Sequence, residues 1–260
     1  MHLIAVAVLE GITEFLPVSS TAHLIIASKL FALDLTDGYI KFYLLFIQLG
    51  ALLAGVFLYT KRVLTDRTLF MNICVSFLPS AAVGFVCYKL FKKLLEGNML
   101  LIASMLALGG LVFMYLEKVL MKKGGGGDPS AFGKNEITKT DAFIVGLVQA
   151  LAIVPGVSRS GATIVAGILR GIKKEVIVEY TFILALPTLG AAVLYDAYKS
   201  RDMLSAISSY GELLIGFIVA GITAFVTLFL VRTYLRRLSL SYFGFYRILL
   251  ALLVLTLFVI

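Results

Sequence analysis

Two apolar stretches of this chain end too early to cross a bilayer. Leu3 to Leu16 and Ala142 to Val154 run for 14 and 13 residues, and each stops at a proline beside a cluster of hydroxyl residues. Such runs make only about 20 Å of helix, against a hydrocarbon core of about 30 Å. Each is followed by a second short apolar run, Leu24 to Phe31 and Ala162 to Ile172. The economical reading is two broken helix pairs, each a re-entrant hairpin that returns to the side it entered. Backbone of that kind survives at membrane depth only where protein or a wet cavity covers it.

Around these hairpins lie six apolar runs of spanning length, at 39–60, 69–91, 98–120, 176–198, 211–235 and 241–260. With 60% hydrophobic residues, 15% charged and a mean hydropathy of +1.01, the composition excludes an ordinary soluble domain, which is about 25% charged. The first apolar run leads into polar residues with no small-residue cleavage site, so no separate secretory signal is expected. Cys74 and Cys87 share one apolar stretch and lie 13 positions apart, out of disulfide reach on a helix, and read as packing residues.

The two halves resemble each other. Pro17-Val18-Ser19-Ser20-Thr21 recurs 138 positions on as Pro155-Gly156-Val157-Ser158-Arg159-Ser160-Gly161. At an offset of 136, Phe46–Tyr59 and Phe182–Tyr195 match at five of 14 positions. Each half reads hairpin, span, span, span. Three crossings is an odd number, so the second half is inverted relative to the first, an architecture familiar in transporters, with the site where broken helices meet near the midplane. The expected fold is an all-α integral membrane protein with six transmembrane helices and two re-entrant helical hairpins in two inverted-topology repeats. Residues 1–121 form the first repeat, 122–137 a linker and 138–260 the second.

The formal charge of +8 comes from basic residues set between apolar runs, so it reads as topology and no nucleic-acid partner is expected. With returning hairpins, 14 basic residues fall on one face, among them Lys61, Arg62, Arg67, Lys122, Lys134 and Arg170, and seven on the other. The richer face is expected to be cytoplasmic, with both termini outside. The linker, with its four glycines in succession, reads as flexible; it lacks the strand and helix that a phosphate-cradling loop requires.

Ionisable groups at membrane depth are costly and mark function unless they reach water. Glu10 and Glu14 stand four apart on one helix face. Ser19, Ser20 and Thr21 follow Pro17 as helix-capping residues do, and a helix N-terminus is also an anion site. Ser158, Ser160, Gly161 and Thr163 repeat the pattern and add Arg159, whose guanidinium fork suits a phosphate, although a structural pair with Glu10 or Glu14 is the alternative. His23 reads as a proton carrier or as a packing histidine. Gln48 and Gln149 read as amide donors to the site or as links between helices. Arg247, seven residues into the last run, either snorkels or sits at depth. Together these residues describe a site for a polyanion, and the expected one is a phosphate. No zinc spacing, dinucleotide fingerprint or Walker loop occurs.

At Glu10-Gly11-Ile12-Thr13-Glu14-Phe15-Leu16-Pro17-Val18-Ser19-Ser20-Thr21-Ala22-His23 and at Pro155-Gly156-Val157-Ser158-Arg159-Ser160-Gly161-Ala162-Thr163 the chain resembles the bacterial undecaprenyl-diphosphate phosphatases, also called bacitracin resistance proteins. The likeness extends to Gln48-Leu49-Gly50 and Tyr246-Arg247. Ala22 departs from it, standing where the family usually has glycine.

The resemblance implies a multi-pass enzyme of the bacterial cytoplasmic membrane that removes the terminal phosphate from a polyprenyl diphosphate. The product is the monophosphate carrier lipid of cell-wall polymer synthesis, and the site faces the extracytoplasmic side. It implies a divalent cation, Mg2+ or Ca2+, held by Glu10 and Glu14. Ser20 would be nucleophile or phosphate ligand, Arg159 the phosphate clamp, and Glu10, Glu14 and His23 the acid–base candidates. Ser19, Thr21, Ser158, Ser160, Gly161, Thr163 and Gln149 would line the phosphate site. A polyprenyl-phosphate transporter or flippase is the alternative, and the oligomeric state, a homodimer included, stays open.

Overall fold

A computed structural model describes residues 1–123, 133–199, 210–234 and 239–260. The glycine run of the linker lies outside them. Among these residues the chain is helical, and its only β feature is an isolated parallel bridge between Lys134 and Ile172.

The helices are α1 (His2–Thr13), α2 (Ser20–Leu30), α3 (Gly38–Thr65), α4 (Arg67–Val86), α5 (Tyr88–Leu94), α6 (Met99–Lys123), α7 (Lys139–Gln149), α8 (Arg159–Leu169), α9 (Lys174–Lys199), α10 (Tyr210–Tyr234) and α11 (Leu240–Phe258), with a 3₁₀ turn over Ala150–Ile153. Six of them, α3, α4, α6, α9, α10 and α11, are long and apolar enough to cross a membrane. The protein is a multi-pass membrane protein.

Short polar side chains open these helices by taking up free N–H groups. Asp37 accepts from Tyr39 N, Asp66 from Leu69 N and Ser239 from Ser241 N, while Thr138 and Asp141 form a reciprocal capping box on α7. The run expected at 69–91 is shorter as a span. It ends at Val86, and α5 begins after Cys87, carrying Lys89, Lys92 and Lys93, which have to reach water.

Both broken pairs fold back on themselves. The His2 ring stacks on Phe31 with centroids 4.8 Å apart, joining the start of α1 to the end of α2. Arg170 Nε donates to Asp141 Oδ1 at 2.9 Å, joining the end of α8 to the start of α7, and Lys134 pairs with the same carboxylate. The Pro17 and Pro155 breaks therefore lie at the inner ends of the two pairs.

Between lipid-bathed helices the hydrophobic effect gives no net pull, so close approach rests on small residues. On α6 and α11, Gly110 and Gly244 leave room for each other's carbonyl oxygen, which a Cβ on either would strike. Across the halves, α1 packs on α10 and α7 on α4, with α3 against both α9 and α10. Phe57, Leu78, Val86, Ile222 and Leu252 are exposed on the outside, as lipid-facing residues are.

Candidate active site

Each break ends in a serine with left-handed backbone, Ser19 at φ 72° before α2 and Ser158 at φ 64° before α8. A side chain pays a steric penalty there, so both turns need partners to hold them. Ser158 supplies its own, because its Oγ accepts from Gly161 N at 3.1 Å and caps α8. Ser19 makes no side-chain cap, and its carbonyl takes His23 Nδ1 at 2.8 Å instead. His23 Nε2 meets the Tyr246 hydroxyl at 2.7 Å. A carbonyl only accepts, so Nδ1 carries the proton and Nε2 accepts from Tyr246.

Ser20, the first residue of α2, directs its Oγ at Glu14 Oε2, donating at 2.7 Å. The other oxygen of that carboxylate, Oε1, holds Arg159 Nη2 at 2.8 Å. Arg159 Nη1 donates to the Thr181 carbonyl at 3.1 Å, and its Nε is buried without a partner. Glu14 thus joins the hydroxyl of one break to the guanidinium of the other. Ser160 Oγ reaches across the same seam to the Leu16 carbonyl at 3.1 Å and lies 3.2 Å from Ser158 Oγ. Thr163 Oγ1 ties α8 to α9 through Thr181 Oγ1 at 2.8 Å.

A cavity of about 490 Å³ opens on this constellation. Glu14, Ser19, Ser20, Thr21, Gln48, Gln149, Ser158, Arg159 and Ser160 line it, and α4 and α9 carry an apolar wall that includes Phe77, Ala81, Phe85, Leu189 and Ala192. Glu10, His23, Gly161 and Thr163 lie outside the lining. Gln149 Nε2 donates to Ser80 Oγ at 2.9 Å and Thr188 Oγ1 at 3.2 Å. Gln48 Nε2 donates to Leu44 O within its own helix.

Ser80 and Thr188 are lining residues that sequence reasoning missed. Their signal was a proline followed by a hydroxyl in mid-span, Pro79-Ser80 and Pro187-Thr188, the same grammar as the two breaks. Tyr88 and Asp196 are further lining residues, joined by a Tyr88 OH to Asp196 Oδ1 hydrogen bond of 2.6 Å.

Glu10 is wholly buried one turn before Glu14, and neither carboxylate oxygen has a hydrogen-bond partner. Its electrostatic neighbours are Glu14 and Arg159. Two orphaned carboxylate oxygens beside a second carboxylate fit a hard divalent cation, which takes oxygen ligands and, for Mg2+, usually only one or two carboxylates plus substrate phosphates. Among the described residues no group of three His, Cys, Asp or Glu forms a complete cage.

Arg247 does not snorkel. It is wholly buried, its guanidinium lies over the Phe113 ring, and its hydrogen bonds among the described residues go to backbone carbonyls of α6 and of the two breaks.

Fold and site together define a polytopic α-helical membrane protein with a serine, carboxylate and arginine assembled from two broken helices around one cavity. The chain belongs to the bacitracin resistance protein BacA family, whose model matches residues 3–253. It is 39% identical over 249 residues to an undecaprenyl-diphosphatase of Aquifex aeolicus (strain VF5), covering 96% of this chain and 94% of that one. It is 40% identical over 254 residues to an undecaprenyl-diphosphatase of Campylobacter fetus, covering 96% and 95%, and 40% identical over 253 residues to one of Sulfurihydrogenibium sp. (strain YO3AOP1), covering 97% of each.

Proposed function

We propose that this chain is an undecaprenyl-diphosphatase, hydrolysing the terminal phosphate from a polyprenyl diphosphate. The observation that carries the reading is the Ser20–Glu14–Arg159 chain at the cavity wall. A hydroxyl hydrogen-bonded to a carboxylate is a nucleophile with its base in place, and a guanidinium within reach of the same carboxylate is an anion clamp. The head of the substrate lies at the polar end of the cavity, and the prenyl chain lies along the apolar wall of α4 and α9.

Ser20 Oγ attacks the terminal phosphorus and passes its proton to Glu14. The bond from that phosphorus to the bridging oxygen breaks, and the monophosphate lipid leaves. Glu14 gives that proton up to the departing monophosphate or to solvent. Water then attacks the phosphoserine and passes a proton to Glu14, the bond from Ser20 Oγ to phosphorus breaks, and Glu14 returns the proton to Oγ as inorganic phosphate departs. Arg159, whose Nε is unpartnered, turns from Glu14 toward the equatorial oxygens, and the N-termini of α2 and α8 add N–H dipoles. Ser158 and Ser160 shape the second wall, and Thr163 and Gly161 hold the turn of α8. A divalent cation, Mg2+ or Ca2+, held by Glu10 and Glu14, would neutralise diphosphate charge when bound.

The broken pairs are re-entrant hairpins and the halves are inverted repeats. The reciprocal packing of α1 on α10 and α7 on α4 supports this reading. By the bias of basic residues the linker face is cytoplasmic, with both termini and the cavity opening on the extracytoplasmic side of a bacterial cytoplasmic membrane.

Purified protein in detergent, given polyprenyl diphosphate and Mg2+, should release inorganic phosphate, with Ser20→Ala lowering the rate at least about 10³-fold. Chelation by EDTA should stop release, and added Mg2+ should restore it. No release by the wild type would refute the reading; full activity of Ser20→Ala would refute the role of Ser20.

A further inference from the structure

We propose that Arg247 is a positioning residue that locks the two helix breaks in register, so that Ser20 and Arg159 meet one phosphate; this rests on the function proposed above. Its guanidinium donates from Nη1 to Pro17 O at 3.2 Å and from Nη2 to Gly156 O at 2.7 Å. Pro17 stands three residues before Ser20, and Gly156 three residues before Arg159. One fork therefore holds, in both turns, the carbonyl three residues before the helix start. Among the described residues neither carbonyl accepts a backbone hydrogen bond. Nη2 also reaches Met105 O at 3.2 Å, anchoring the pair to α6.

Among the described residues Arg247 is the largest wholly buried side chain, and its hydrogen-bond partners include no carboxylate. An unpaired charge at depth is expensive, and a neutral side chain would pack there at lower cost. Only a planar fork with five donors serves carbonyls on both sides of the seam. The fold makes room for it, because a Cβ on Gly109 of α6 would collide with the guanidinium. The neighbouring Tyr246 acts on the same turn, through His23 to the Ser19 carbonyl.

The test uses the full-length protein with polyprenyl diphosphate. Arg247→Gln should lower kcat about 100-fold with KM within about threefold, since a misplacement of about 1 Å costs that much. Arg247→Lys, with its donors at a single point, should recover only part of the loss. Gly109→Ala, which keeps the arginine and displaces it, should lower kcat about tenfold and decides the matter if Arg247→Gln fails to fold. A second readout needs no activity: spin labels at Ile12→Cys and Leu151→Cys, both exposed sites, in a Cys74→Ser, Cys87→Ser background. The inter-label distance should be narrow in the otherwise wild-type chain and broad in Arg247→Gln. Unchanged kcat in folded variants, losses that only track the folded fraction, or an unchanged distance distribution would each overturn the proposal. An inactive wild type with a broadened Arg247→Gln distribution would instead refute the functional reading alone.

Discussion

Ser20 Oγ and Glu14 Oε2 stand 2.7 Å apart, and the second oxygen of Glu14 is already committed to Arg159. The carboxylate therefore links the proposed nucleophile and the proposed clamp. Glu14→Gln keeps the shape and an acceptor oxygen but removes the base. We expect kcat to fall by about 10³-fold, with a smaller change in KM. Steady-state kinetics on folded protein decide it; a loss of less than tenfold would assign the serine proton elsewhere.

His23 has its two ring nitrogens on Ser19 O and Tyr246 OH, and it does not line the cavity. On the proposed mechanism it supports the strained Ser19 turn and moves no proton of the reaction. His23→Ala should cost roughly tenfold in kcat, as a positioning loss, and leave the shape of the pH–rate profile unchanged. If a limb of that profile moves or vanishes, His23 is a proton carrier after all.

Gly84 lines the cavity on α4, and a Cβ there would meet open space. Gly84→Trp should fill the groove proposed to take the prenyl chain, without touching Glu14. For a long polyprenyl diphosphate we expect KM to rise about tenfold, as several buried methylenes are displaced, and for a short-chain diphosphate to change little. Equal effects on both substrates would place the chain elsewhere.

Asp141 closes the second broken pair. Burial alone raises its carboxyl, but hydrogen bonds from Lys134, Thr138 and Arg170 outweigh this and hold it well below the usual carboxylate range. With a folded value below the unfolded one, the stabilisation is fully present above about pH 4 and is lost as pH falls toward the folded value. Asp141→Asn should lower the melting temperature at pH 7 by about 5 °C, and the gap should narrow at pH 3. An equal gap at both pH values would mean that charge is not the cause.

Much of this protein was legible in one dimension because a membrane simplifies the grammar. Run length against bilayer thickness separated six spans from two broken pairs, and Pro17 and Pro155 marked the breaks, since proline followed by hydroxyls ends one helix and starts the next. Glu14 and Arg159 stood out because charge at depth is costly. The same proline and hydroxyl grammar, inside α4 and α9, marked Ser80 and Thr188 and was overlooked because those helices continue through their prolines.

What local sequence cannot express is which long-range partner each polar group takes. Glu10 and Glu14 share a helix face by spacing, yet only packing put Glu14 at the cavity wall and left Glu10 buried behind it. His23 lies one turn from Ser20 in sequence, but Tyr246, 223 residues away, turns its ring aside. Arg247 read as a residue able to snorkel until all three of its guanidinium nitrogens proved to be bonded to carbonyls from three segments. Segment lengths and costly charges follow from composition along the chain, because solvation acts on each residue where it stands. Hydrogen-bond partners are chosen by the tertiary structure, because they depend on distances between segments that the chain brings together only on folding.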